Sequence, residues 1–422
     1  MKRKLLKVTL ALFATAWVGG VQAEVKTIFA RTLWTFNDLS IDPFPSNTTE
    51  KVDDKDVPTT NTDLNGEGLL YGGNTNSSLV TLNSNVSSTV TFSDAASTSV
   101  TTTKVIELES NTANGWTSSM TSARTGETYN STYARALAFN TSVPGTAYVV
   151  LSRSAGNVNT GATFELTVSY KGESGWTYAT QSEAIPERYA QKELKLHCDY
   201  AGTFWIRASQ KSNVHAILFV PDPVNVTVGE HLYTTYYNGT AYNQELPEGL
   251  TAYGVSSQVS ARTGQTVTLS PYNVIPAGAG VILKGSEAKA YALNYTKAES
   301  TYTGENYMVG TATEIAELSY NNYVLVYDSE DGKVKFARSN GTGGKPTVPA
   351  GHAYLSSKVY NTSSGARPNY LFLEDSNEST GVSAISSQAE ASDTWYTLGG
   401  QRIVAPTTHG VYIKNGKKII IK

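Results

Sequence analysis

The stretch Phe164-Glu165-Leu166-Thr167-Val168-Ser169-Tyr170 alternates apolar and polar side chains without a break. A β-strand turns successive side chains to opposite faces, so Phe164, Leu166, Val168 and Tyr170 line a core side and Glu165, Thr167 and Ser169 a solvent side. Working outward, short strand patterns recur from Thr32-Leu33-Trp34-Thr35-Phe36 to Val214-His215-Ala216-Ile217-Leu218-Phe219-Val220. Turn residues fall between them, as at Val143-Pro144-Gly145 before Tyr148-Val149-Val150-Leu151. No helical periodicity of convincing length interrupts this series. Half-buried strands joined by tight turns predict a β-sandwich, jelly-roll-like, over residues 24–222. Trp34, Phe36 and Trp205 lie inside strong strand patterns and are expected in or near the core, and the polar stretch from Asp42 to Gly66 is expected to be a surface insertion or loop.

Composition agrees with an all-β chain. Charged residues make up 16% of the 422, Tyr is used 26 times, and Ser, Thr, Asn and Gly are abundant, the mixture of short strands and polar turns. The net charge of −3 balances 33 basic against 36 acidic residues with no long basic tract, which gives no footing for nucleic acid.

The N-terminus carries an address. Met1-Lys2-Arg3-Lys4 precedes an apolar run from about Val8 to Val18, and Val21-Gln22-Ala23 places small residues where a signal peptidase reads. Residues 1–23 are therefore expected to be a cleaved signal peptide, with Glu24 starting the mature chain. No later apolar stretch approaches the roughly 20 residues of a membrane span, so the mature chain is expected to have none. A lipoprotein anchor would need a cysteine at the cleavage point, and the single cysteine is Cys198.

Pro221-Asp222-Pro223 breaks the strand pattern, because two prolines in three residues cannot sustain a sheet ladder. A second β-rich domain is expected over 223–375. It contains an echo: Ile275-Pro276-Ala277-Gly278 leads into Val281-Ile282-Leu283, and Val348-Pro349-Ala350-Gly351 into Ala353-Tyr354-Leu355. Residues 376–393 are Ser-, Glu- and Ala-rich and are expected to be a linker. A small C-terminal β domain follows over 394–422, where Asn415-Gly416 between Val411-Tyr412-Ile413-Lys414 and Lys418-Ile419-Ile420-Ile421 is a hairpin signal.

This tail, with Trp395-Tyr396-Thr397-Leu398-Gly399-Gly400-Gln401-Arg402-Ile403 and then Gly410-Val411-Tyr412-Ile413-Lys414-Asn415-Gly416-Lys417-Lys418, resembles the C-terminal sorting domains of the type IX secretion system of Gram-negative bacteria. Thr397 departs from the Asp or Asn usual there. The resemblance implies delivery to the extracellular space or outer cell surface, with the secretion machinery as a partner. The middle domain resembles a β-rich module of extracellular proteins from the same bacteria, through Val226-Thr227-Val228-Gly229, Gly249-Leu250-Thr251-Ala252-Tyr253 and the two Pro-Ala-Gly corners. The first domain resembles, on Trp34-Thr35-Phe36 and Gly202-Thr203-Phe204-Trp205-Ile206-Arg207, the β-sandwich modules attached to polysaccharide-degrading enzymes.

Candidate chemistry is sparse. Trp116 follows Asn114-Gly115 and Trp176 follows Ser174-Gly175, with Tyr178 two residues on, so these three rings are the candidates to stack on a sugar face; capping the core edge is the competing role for both tryptophans. Cys198 shares a strand face with Leu194 and Leu196, while His197 points away, which predicts a buried thiol and no Cys/His dyad. Asp53, Asp54 and Asp56, and Asp63-Leu64-Asn65-Gly66-Glu67, do not match a calcium loop, and His197, His215, His231, His352 and His409 show no paired spacing, so no metal or other cofactor is expected. No G-x-S-x-G elbow, P-loop or dinucleotide fingerprint is present. The expected function is non-catalytic glycan binding by an exported protein. The alternatives are an adhesin or structural surface protein binding protein partners, and a glycoside hydrolase or lyase, which would need two converging carboxylates.

Overall fold

The structure is a computed structural model that describes residues 26–39, 49–52, 55–58, 62–63, 68–73, 80–84, 86–108, 118–121, 128–131, 135–154, 163–172, 175–184, 190–256, 259, 265–339, 345–360, 367–375, 395–397, 402–403, 410–414 and 417–421. These residues are all-β, with one single-turn 3₁₀ helix at Ser357–Val359. No helix among them is long and apolar enough to cross a membrane. The chain divides into two compact units, residues 1–224 with 294–297, and residues 225–293 with 298–422.

The first unit is a two-sheet sandwich. One sheet runs in the order Gly175–Ala184, Thr163–Gly172, Gly202–Ala208, Arg135–Thr141, Leu70–Gly73, Thr62–Asp63, with Thr27–Ile28 parallel to Arg135–Thr141. The other runs Gln191–Cys198, Gly145–Arg153, Ser212–Pro221, Val105–Leu108, Val80–Asn83, with Thr32–Trp34 paired to Ser212–Pro221. Phe164, Leu166 and Val168 are fully buried, as their alternation predicts, and Trp34 and Phe36 join them. Tyr170 is only half-buried, and Thr167 and Ser169, expected on the solvent side, are buried too, so the sheet's outer face is covered there. The sheets meet through rings. Phe139 stacks on Phe204 at 5.1 Å between centroids, tilts onto Trp34 at 4.9 Å and meets Phe219 edge-on at 5.9 Å. Such pairs add about 0.5–1.5 kcal/mol each beyond the area they bury. Gly145 lies where a Cβ would come within 2.6 Å of the Phe219 ring and of the Val220 carbonyl, so the strand start must lack a side chain.

Two expectations need correcting or refining, at 42–66 and at Trp205, while Cys198 is buried as expected. The stretch 42–66 is not simply a loop: Thr49–Val52 and Lys55–Pro58 form a hairpin, and Thr62–Asp63 pairs with Leu70–Gly73. Trp205 is not a core residue. It alternates with the fully buried Phe204 and Ile206 and is therefore turned to the outer face, half-buried. Cys198 is a buried thiol, pushed up in pKa by burial.

The second unit holds a nine-stranded, nearly closed sheet, in the order Tyr233–Tyr237, Gly280–Gly285, Leu250–Val255, Thr266–Tyr272, Tyr370–Asp375, Lys333–Arg338, Tyr323–Asp328, Ala353–Leu355, Met308–Gly310. That order is a palindrome about Tyr370–Asp375, because the two Pro-Ala-Gly corners belong to two copies of one four-strand pattern. Tyr237 pairs with Gly280 as Gly310 pairs with Ala353. Gly278 N–H donates to the Asn238 carbonyl at 2.7 Å and Asn238 N–H to the Ala279 carbonyl; Gly351 and Thr311, with His352, repeat both bonds. Gly278 and Gly351 take φ of +74° and +77°, a left-handed turn that favours glycine. The palindrome's ends approach each other, with Tyr237 N–H donating to the Gly351 carbonyl at 2.8 Å and Asn306 Nδ2 to the Gly280 carbonyl at 2.8 Å. A four-stranded sheet, Val224–Val228, Lys289–Thr296, Asn243–Glu245, Val274–Ile275, belongs with the first copy. A separate four-stranded sheet, Arg402–Ile403, Trp395–Thr397, Gly410–Lys414, Lys417–Ile421, contains the hairpin predicted at Asn415-Gly416.

The two copies differ in how their corner is secured. Asn238 is fully buried; its Nδ2 serves the carbonyls of Tyr242, Ile275 and Pro276, and its Oδ1 accepts from the Thr240 amide and hydroxyl. At the equivalent position Thr311 only reaches the Thr313 carbonyl. Asn238→Leu is expected to cost on the order of 3 kcal/mol in urea unfolding of this unit, through stranded carbonyls, while Thr311→Val costs under about 1 kcal/mol.

Candidate functional site

Each sheet of the sandwich has an outer face, and the two are used differently. Over the second sheet lies a hairpin, Ser88–Thr91 with Ser99–Thr102. Its Val90 and Phe92 pack on Tyr148, Val150, Ala216 and Leu218, so that face is closed. The hairpin is also pinned by polar contacts. A bulge between Val150 and Leu151 skips His215 in the pairing and aims its ring at the hairpin. There Ser88 Oγ lies 2.9 Å from Nδ1 and Ser152 Oγ 2.7 Å from Nε2. At the hairpin's tip Asp94 is bound by the Thr98 amide at 2.7 Å and by Arg31 at 2.8 Å.

A serine hydroxyl on a histidine is the pairing that activates a nucleophile, but here it does other work. Ser152 and His215 are both buried, so no substrate reaches the hydroxyl, and the ring's second partner is Ser88, not a carboxylate. The trio is a bridge between hairpin and sheet. Among the described residues no group of three His, Cys, Asp or Glu is placed to hold a metal ion.

The outer face of the first sheet is built of three cross-strand rows. Tyr178, Ser169, Thr203 and Asn140 form one; Thr180, Thr167, Trp205 and Ala138 the next; Ser182, Glu165, Arg207 and Ala136 the third. Tyr178 is 41% exposed and Thr180 and Ser182 are exposed, Thr203, Asn140 and Trp205 are half-buried, and Ser169, Thr167, Ala138 and Arg207 are buried, so the open part of this face is its Gly175–Ala184 edge. Hydroxyl and amide groups lie between the rings: Thr167 and Thr180 share a hydrogen bond at 2.9 Å, and Thr203 donates to Asn140 Oδ1 at 2.8 Å. Burial draws Arg207 down to about 10, which leaves it charged at neutral pH. Sheet geometry separates the Tyr178 and Trp205 Cα atoms by roughly 12 Å, so the two rings span more than one sugar unit. On the other side of this sheet, where Tyr170 follows the parity of Phe164, Leu166 and Val168, Tyr170 and Tyr200 stack at 5.1 Å, with Tyr200 40% exposed.

Of the three rings chosen from sequence, the structure places Tyr178 on this face. Trp176 lies in the same strand, opposite Lys171 in register, but its side chain is outside the described residues, as is the whole of Trp116. Sequence reasoning missed Trp205. A signal for Trp205 was present: in Gly202-Thr203-Phe204-Trp205-Ile206-Arg207 it shares its parity with Thr203 and Arg207. No protein-family model matches the chain, and no curated protein matches it.

Burial holds His215 at about 4, against 6.5 for an unperturbed ring. The unfolded chain therefore takes up this proton first as pH falls, and the stability contributed by the neutral ring is whole above pH 6.5 and lost on the way to 4. The expected loss is on the order of 3 kcal/mol. Asp94 works in a lower window: burial pushes it up, but the Thr98 amide, Arg31 and the Thr98 hydroxyl outweigh this and hold it at about 2, so its contribution is present above 3.8 and lost below. Urea titrations of wild type and His215→Gln between pH 7 and 4 are expected to show the pH slope in wild type alone.

Proposed function

We propose that the first unit is the ligand-binding module of an exported surface protein and that it takes glycan on the outer face of its first sheet. The observation that carries this is the exposed Tyr178 on one face with the half-buried Trp205, beside the exposed Thr180 and Ser182 and the half-buried Thr203 and Asn140. Sugar rings present C–H faces to aromatic planes and hydroxyls to hydroxyl and amide partners, and this face offers both in alternation. The opposite outer face is filled by the hairpin, and on this one the exposed side chains cluster at the edge, at Tyr178, Thr180 and Ser182. Binding there needs no catalytic group, and the reading is of a non-catalytic protein.

Export through a signal peptide over residues 1–23 and surface delivery through the sorting-domain-like tail belong to the same proposal. They rest on the charge and small-residue pattern at the N-terminus and on the motif residues from Trp395 to Lys418.

Glycan-array screening of the mature chain is expected to give reproducible hits that Tyr178→Ala weakens by about tenfold, with thermal unfolding unchanged because Tyr178 lies outside the core. Silence across plant, host and microbial glycans would refute the glycan reading, and hits indifferent to Tyr178→Ala would move the site off this face. For the address, removal of residues 395–422 in a secreting host is expected to leave the protein in the periplasm; surface delivery of the shortened chain would refute the sorting role.

A further inference from the structure

The two copies in the nine-stranded sheet are built alike but are not covered alike. On the first copy, Tyr236, Ala252, Tyr272, Val281 and Leu283 point out of the barrel, and all are buried. They lie beneath the four-stranded sheet that contains Lys289–Thr296. Its Tyr291 and Leu293 are themselves buried, the Tyr291 ring rests against Gly285, and the Tyr236 hydroxyl donates to Gln244 Oε1 at 2.9 Å.

On the second copy the corresponding outward row runs through Val309, Tyr354, Val324, Ala337 and Tyr370, one residue from each of five neighbouring strands. Val309 and Tyr370 are 38% and 43% exposed and the other three half-buried. In the next row Val326 and Phe372 flank Lys335. The Lys335 ammonium is tied to Asp328 and, at 3.1 Å, to Asp331, and it lies 4.3 Å from the Tyr370 ring centre. The outer wall is therefore apolar with an acidic turn, Asp328 to Asp331, at its margin. A contiguous apolar wall of this kind marks a surface meant to be covered.

We propose that this wall is the docking surface of the chain's own C-terminal sheet, residues 395–421. That sheet is four-stranded, like the one that covers the first copy. The wall's last strand, Tyr370–Asp375, leads directly to it, and residues 376–394 span up to roughly 60 Å when extended, so reach sets no limit. Charge adds a small term: the Asp328–Lys335 turn keeps a net negative charge through Glu330 although Lys333 and Lys335 offset its other carboxylates, and residues 395–422 contain no Asp or Glu and carry Arg402, Lys414, Lys417, Lys418 and Lys422. The sheet also has apolar surface to lose, since Ile420 is 64% exposed, and four short strands alone bury too little to be firmly stable.

Hydrogen exchange read by mass spectrometry on the full mature chain tests the docking. Val324→Glu sets a charge in the middle of the wall and Ile420→Glu sets one on the tail. Either is expected to speed exchange of the Gly410–Lys414 and Lys417–Ile421 amides by about tenfold or more, while Leu250–Val255 on the first copy stays protected. Should Val324→Glu unfold the barrel, Leu250–Val255 will exchange as well and Ile420→Glu decides alone. Tail exchange unchanged by Ile420→Glu would overturn the proposal. Tail protection that disappears on dilution of the wild type would also overturn it, and would assign the wall to the tail of a second copy.

Discussion

The contact between Phe139 and Phe204 of one sheet and Phe219 and Trp34 of the other is the constraint on which the first unit depends. Four rings meeting at 4.9 to 5.9 Å between centroids leave no room for a strand to slide. Side chains alternate along a strand, so a slip of one residue in Gly202–Ala208 would send Trp205 inward and Phe204 out. The rings therefore do more than exclude water. They decide which residues face outward, and Tyr178, Thr180 and Trp205 hold their rows because Phe204 and Ile206 hold theirs.

With both inner faces committed to the core, the outer faces become the variable part of the architecture. The second sheet gives its outer face to the Ser88–Thr102 hairpin, joined by an apolar cluster and by a histidine that a bulge re-aims. A neutral imidazole between two hydroxyls suits this place, because it bridges hairpin and sheet without burying a charge. The first sheet keeps polar side chains on its outer face instead, and the two sheets differ in what lies over them.

The second unit uses one pattern twice and makes the copies unequal. Both corners close the same pair of backbone hydrogen bonds, yet Asn238 secures one with a buried carboxamide and Thr311 stands at the other. One outer wall is covered by a sheet from within the fold, whereas the other ends in Tyr370 and Val309. Local rules of turn and strand produce the repeat, and what lies over each copy makes the two halves different surfaces.

Strand alternation, the prolines at Pro221 and Pro223, the paired Pro-Ala-Gly corners and Asn415-Gly416 carry their meaning in a few adjacent residues, and so the all-β class, the strongly alternating strands and the C-terminal hairpin were legible in the sequence by itself, whereas the hairpins at Thr49–Pro58 and Ser88–Thr102 were not. The buried fate of Cys198 and of Trp34 was legible for the same reason, since period-two geometry is local. The outer placement of Trp205 was readable in its parity and was passed over because its bulk resembles a core residue. Other features needed the tertiary structure: the rows that join Tyr178 to Trp205, the bulge that turns His215, the palindromic strand order and the bare wall at Val324. Each depends on register between strands distant in sequence, and register is set by how whole faces pack, which no short stretch of chain encodes.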